Sequence, residues 1–150
     1  MSQNTLVSDH LAGLVDTIAG ADDDFSERVI RWCIQNVVPL RQFSGNDLHI
    51  VFYEDLCMHP ARELDRIFRY LGWHYSPDVL SRLTVPSPVS RGESAINKGT
   101  DLISSWVEHV DKDQIDSGLA ILREFSLDSI YSESPSPDPA GLQGFLDKQI

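Results

Sequence analysis

Apolar residues recur along this chain with two different periods, and each change of period marks a candidate element. Leu6, Leu11, Leu14, Val15 and Ile18 keep a weak helical spacing that stops near Gly20, so a short helix is expected there. Asp24 and Glu27 then have the spacing of a capping box. Phe25, Val29, Trp32, Cys33, Asn36 and Val37 fall on one face of the helix it opens. Pro39 lacks a donor and crowds the preceding turn, so this helix is expected to end or kink at Val38. Ser44-Gly45-Asn46-Asp47 supplies turn chemistry, and the period changes again at Leu48-His49-Ile50-Val51-Phe52. That near-continuous apolar run reads as an interior strand, buried on both faces, and it is the one convincing strand in the pattern.

Beyond it, Pro60 fits the first position of a helix whose stripe is Leu64, Ile67, Phe68 and Leu71 and whose stop is Gly72. Ser76-Pro77-Asp78 opens a short helix through Leu83. Residues 84–101 hold Pro86, Pro88, Gly92 and Gly99 with little periodicity and are expected to form a long loop, a common place for function. Asp111 and Gln114 have capping-box spacing, and Ile115, Leu119, Leu122 and Phe125 give the buried face of the helix that follows. Residues 132–139 read as a stiff Pro/Ser linker and 140–150 as a weakly amphipathic tail.

Charge narrows the partners. With 12 Lys+Arg against 23 Asp+Glu, the formal charge of −11 repels nucleic acid and anionic membranes, so an anion site must be local. Cys33 and Cys57 are too far apart for a metal or redox pair and sit in apolar contexts, which predicts buried free thiols and a reducing, cytoplasmic setting. The chain reads as soluble and unprocessed, with neither a signal sequence nor a run of about 18 apolar residues.

One strand cannot satisfy its own backbone or cover its two faces, so sheet neighbours from elsewhere are expected. The order of motifs suggests what kind of sheet. Trp32 on a helix, Tyr53-Glu54-Asp55-Leu56 at the strand end, and His59-Pro60 opening a helix that closes in Tyr70-Leu71-Gly72 come first. Lys98-Gly99 ahead of Trp106, and then Phe125 through Tyr131, complete the series. Over about residues 25–131 the chain resembles the C-terminal half of sulfotransferases that use 3′-phosphoadenosine 5′-phosphosulfate. The resemblance implies an α/β fold with a three-layer parallel sheet, of which this chain holds the mostly helical C-terminal portion with a strand at about 48–52. Residues 1–131 would be that partial domain, with a helical lead-in over 1–21.

The reaction implied is in-line transfer of a sulfuryl group from the phosphosulfate donor, a co-substrate, to a hydroxyl or amine acceptor on a small molecule, glycan, lipid or peptide. Like phosphoryl transfer, it needs positioning and neutralisation of the departing phosphate. A phosphate-cradling glycine-rich loop is absent from these residues; that loop, the general base and part of the 3′-phosphate site are expected upstream of Met1. No catalytic residue is therefore assigned here. By resemblance Tyr53 would lie against the adenine; the competing reading is an amphipathic residue at a sheet rim. Lys98-Gly99 corresponds to the family's basic-glycine pair for the 3′-phosphate, glycine allowing close approach and lysine supplying charge. Asn97 stands where many members have arginine, and the spacer to Trp106 is longer. Arg91 thus remains a rival candidate, while Ser90 and Ser94 are possible hydroxyl donors or simply turn residues.

The other polar residues point elsewhere. Adjacent Glu54 and Asp55 diverge on leaving a strand, which favours capping over acid–base catalysis. Trp32, Trp73 and Trp106 read as core or rim packing. The five histidines show no metal-ligand spacing, and no serine lies in a G-x-S-x-G elbow, so no metal or hydrolase site is expected. Three functions follow from these observations. They are a sulfotransferase portion inactive alone, a non-catalytic module of that fold completed by a partner or a second copy, and an unrelated helical interaction protein.

Overall fold

The computed structural model describes residues 5, 7–43, 47–82, 85 and 101–148. The chain divides into two compact units, Met1–Leu48 with Asp111–Ile150 and, between them in sequence, His49–Val110.

The first unit is built on two long helices. After a π-helical turn at Val7–Leu11, a 3-10 turn at Ala12–Leu14 and the short helix α1 (Val15–Ala19), the helix α2 runs from Asp24 to Gln42. Its cap is Asp23 rather than Asp24: the Asp23 carboxylate accepts from the Ser26 amide at 2.7 Å, and Glu27 pairs instead with Arg31. That hydrogen bond holds the Asp23 carboxyl below its ordinary value of 3.8. A group whose folded pKa is lowered contributes stability above its unfolded value and loses it as pH falls through the folded one. The Tm difference between the natural chain and Asp23→Ala is therefore expected to be full above 3.8 and to narrow on acidification; a difference independent of pH would reject the carboxylate cap.

Pro39 does not end α2. The helix continues to Gln42, with Phe43 donating to the Pro39 carbonyl at 3.0 Å. The continuation places Leu40 in the core and lets Arg41 donate to the His10 carbonyl, two contacts that offset the lost helical bond.

Helix α6 (Lys112–Glu124) packs on α2, with the Phe25 ring lying over Gly118. The expected capping box is present: Asp111 accepts from the Gln114 amide at 2.9 Å and Gln114 returns the bond at 3.1 Å. At its other end Ser126 takes φ 61°, and Leu127 and Ser126 donate back to Leu122 and Arg123. This Schellman turn reverses the chain so that Phe125, Leu127 and Ile130 all enter the core with Ile30, Cys33 and Val37. The final segment is more than a weakly amphipathic tail. Helix α7 (Pro139–Asp147), capped by Asp138, docks through Phe145, 3% exposed, and approaches so closely that a Cβ on Gly141 would overlap the Ser129 carbonyl.

The second unit corrects the expected fold. Among the described residues the protein is helical and contains no strand or sheet, so the α/β parallel-sheet assignment does not hold for this chain. Residues 48–52 belong to no regular element, although Phe52 keeps extended angles (φ −80°, ψ 132°). Their branched and aromatic side chains suit a strand, but a strand exists only with ladder partners, and none is present among the described residues. Instead His49 stacks on Tyr70 at 4.7 Å, and the chain enters helix α3 (Tyr53–Met58) directly. Helix α4 (Pro60–Leu71) packs against α3 and ends at Gly72, φ 68°, in a second Schellman turn. Helix α5 (Asp78–Arg82) follows Ser76-Pro77 as expected, and a 3-10 turn spans Ser105–Glu108. No helix among the described residues is long and apolar enough to cross a membrane.

Candidate functional site

Tyr53 is the sequence-derived site residue that the described structure contains. It opens α3 where the extended chain turns helical, and 61% of it is exposed despite its apolar ring. Interaction with the Cys57 thiol one turn on, together with partial burial, raises the Tyr53 pKa above its ordinary value of 10, so the phenol stays protonated at neutral pH. Arg91, Ser94, Lys98 and Gly99 lie outside the described residues. Downstream of them, Asp101 accepts from Ser104 Oγ at 2.7 Å and the Ile103 amide at 2.8 Å, a tight turn leading to half-buried Trp106.

Between α3 and α4 lies a charge network that periodicity alone did not reveal. Glu63 is fully buried, its two oxygens accepting from Arg62 Nε at 2.8 Å and Arg66 Nη1 at 2.6 Å. Arg62 also reaches back to Asp55 at 3.1 Å and so ties α4 to α3. Asp55 thus serves helix packing rather than acid–base chemistry. A signal for Glu63 existed: it precedes Leu64 and stands four residues before Ile67, at the edge of the apolar stripe, with Arg62 just before it and Arg66 one turn on.

No protein-family model, curated protein or solved structure matches this chain. The site must therefore be judged on its own residues. An exposed tyrosine ring with a protonated hydroxyl offers a stacking platform and a donor but neither a nucleophile nor a base at neutral pH. No group of three or more potential metal ligands converges among the described residues.

The two thiols differ more than their sequence contexts suggest. Cys33 is fully buried and burial pushes its pKa up to about 12, whereas Cys57 is half-exposed beside Tyr53 rather than buried. Since the thiolate is the reactive form, iodoacetamide at about pH 8 should label Cys57 in the folded chain and reach Cys33 only after denaturation. Comparable labelling of both by mass spectrometry would contradict this packing.

Proposed function

We propose that this chain supplies the donor-nucleotide side of a sulfotransferase and acts together with a segment carrying the phosphate-binding loop, which its 150 residues do not contain. The observation that carries the reading is Tyr53: an aromatic ring left exposed at the point where an extended segment enters a helix, in the Tyr-Glu-Asp-Leu context followed by α4 from Pro60 to its left-handed stop at Gly72. In this role Tyr53 stacks on the adenine of 3′-phosphoadenosine 5′-phosphosulfate. Lys98, with Gly99 allowing close approach, or Arg91 with Ser94, holds the 3′-phosphate.

Stacking of a base on an aromatic side chain is worth about 1–3 kcal/mol. In the enzyme completed with a phosphate-loop segment, Tyr53→Ala is accordingly expected to raise the donor KM about tenfold and leave the acceptor KM unchanged. Lys98→Ala or Arg91→Ala should act in the same direction. Equal effects on donor and acceptor would reject this placement.

The all-helical character of the described residues favours a second reading, a helical binding module without catalysis. It predicts a stable protein complex whose affinity does not depend on 3′-phosphoadenosine 5′-phosphate, measured with and without that nucleotide.

A further inference from the structure

The Schellman turn that ends α4 has a consequence for the surface beside it. It sends Trp73, His74 and Tyr75 back along the helix, and together with Asp65, Phe68 and Arg69 they line an open surface pocket of about 360 Å³. That volume lies within the range of small-ligand sites. Its walls are aromatic: Phe68 and Tyr75 lie 4.8 Å apart in a tilted pair, and Trp73 is left 66% exposed.

Charge in the pocket is arranged unusually. Asp65 and Arg69 stand four residues apart, acid before base, the spacing and order that normally form an ion pair along a helix. Here the pair is not made. The Tyr75 hydroxyl donates to Asp65 Oδ1 at 2.6 Å, and Arg69 has no ion pair among the described residues. The same bond raises the Tyr75 pKa above 10, so Tyr75 remains a donor throughout the neutral range. A guanidinium without an anionic partner among the described residues, beside an exposed indole and a tilted aromatic pair, is complementary to a flat ligand carrying one negative group.

We propose that this pocket binds a small planar aromatic acid, its anionic group paired with Arg69 and its ring against Trp73. The site stands apart from the sulfuryl-transfer reading and does not require it. A cationic aromatic ligand would meet Arg69 unfavourably, and an aliphatic acid would leave the ring faces unused.

Indole-3-acetate titrated into the full chain, followed by calorimetry, tests the assignment; indole, acetate and indoxyl sulfate serve as comparison probes. Saturable binding of indole-3-acetate is expected, at least about tenfold tighter than indole or acetate. Indoxyl sulfate in place of the carboxylate shows which anionic group Arg69 prefers, and binding of either acid satisfies the proposal. Arg69→Gln should weaken both acids about tenfold while leaving indole unchanged. Tyr75→Phe should also weaken the acids, because it releases Asp65 to compete for Arg69, and Asp65→Asn in that background should restore them. Asp65 and Arg69 are exposed, so unchanged far-ultraviolet circular dichroism is expected for their variants. The absence of saturable binding by either acid, or equal affinity in Arg69→Gln, would overturn the assignment.

Discussion

Replacing Phe125 by alanine is expected to destabilise the unit built on α2 and α6 by about 3–5 kcal/mol, the cost of emptying a closed aromatic site. Phe125 is fully buried and stands at the C-terminal cap of α6, where the left-handed Ser126 folds the chain back. The ring thus lies in the core of the α2–α6 unit, at the turn that leads the chain to the buried Leu127 and Ile130. Tyr131 in turn meets Trp32 edge-on at 5.0 Å, so a cavity at Phe125 should be felt along α2. Two units need not unfold together, and a single thermal midpoint is therefore an insufficient readout. Amide exchange resolved by residue should show protection falling across α2 and α6 while α4 is unchanged. A loss below about 1 kcal/mol would mean that the site collapses around the smaller side chain.

How much of this was legible in the sequence depended on whether the signal was local. The capping box at Asp111 and the stop at Gly72 were readable because each is decided by groups within one helical turn. Ser126 has the same left-handed role as Gly72, but serine carries no comparable preference for it, and the turn it makes was missed. At Asp23 the run of three aspartates offered caps in adjacent registers, and only the geometry distinguishes them. Tertiary context overrode local rules twice. Pro39 stays inside a helix because the residues after it bury, and Leu48–Phe52 forms no strand because strand formation depends on neighbours that local propensity does not provide. Of the candidate site, Tyr53 was legible as the residue that ends the apolar run, while its exposure is set by the fold. The Asp65–Tyr75 bond, which leaves Arg69 without an ion pair among the described residues, spans ten residues and a turn, beyond the reach of a periodicity argument.

Glu63 supplies the second large effect, and here the choice of substitution decides its size. Breaking a buried ion pair by removing one partner costs about 3–5 kcal/mol when the remaining charge is trapped. Arg62 and Arg66, however, keep 55% and 46% of their side chains exposed, so both can regain water once the carboxylate is gone. Glu63→Ala is accordingly expected to destabilise α4 and its contact with α3 by about 2 kcal/mol, part from the cavity and part from the lost Arg62 bridge to Asp55. A Glu63→Met variant, which fills the volume without requiring a partner, should recover more than half of that loss, because a buried ion pair often differs little from a well-packed apolar replacement. Salt provides an independent check. The exposed Lys112–Asp116 pair, 2.9 Å apart, should lose what little it contributes in about 1 M salt, whereas the Glu63→Ala effect should persist because the carboxylate is out of water. If Met proved as damaging as Ala, packing would be excluded as the main origin and the charge itself, organising Arg62 and Arg66 and through Arg62 the contact with Asp55, would be what this position requires.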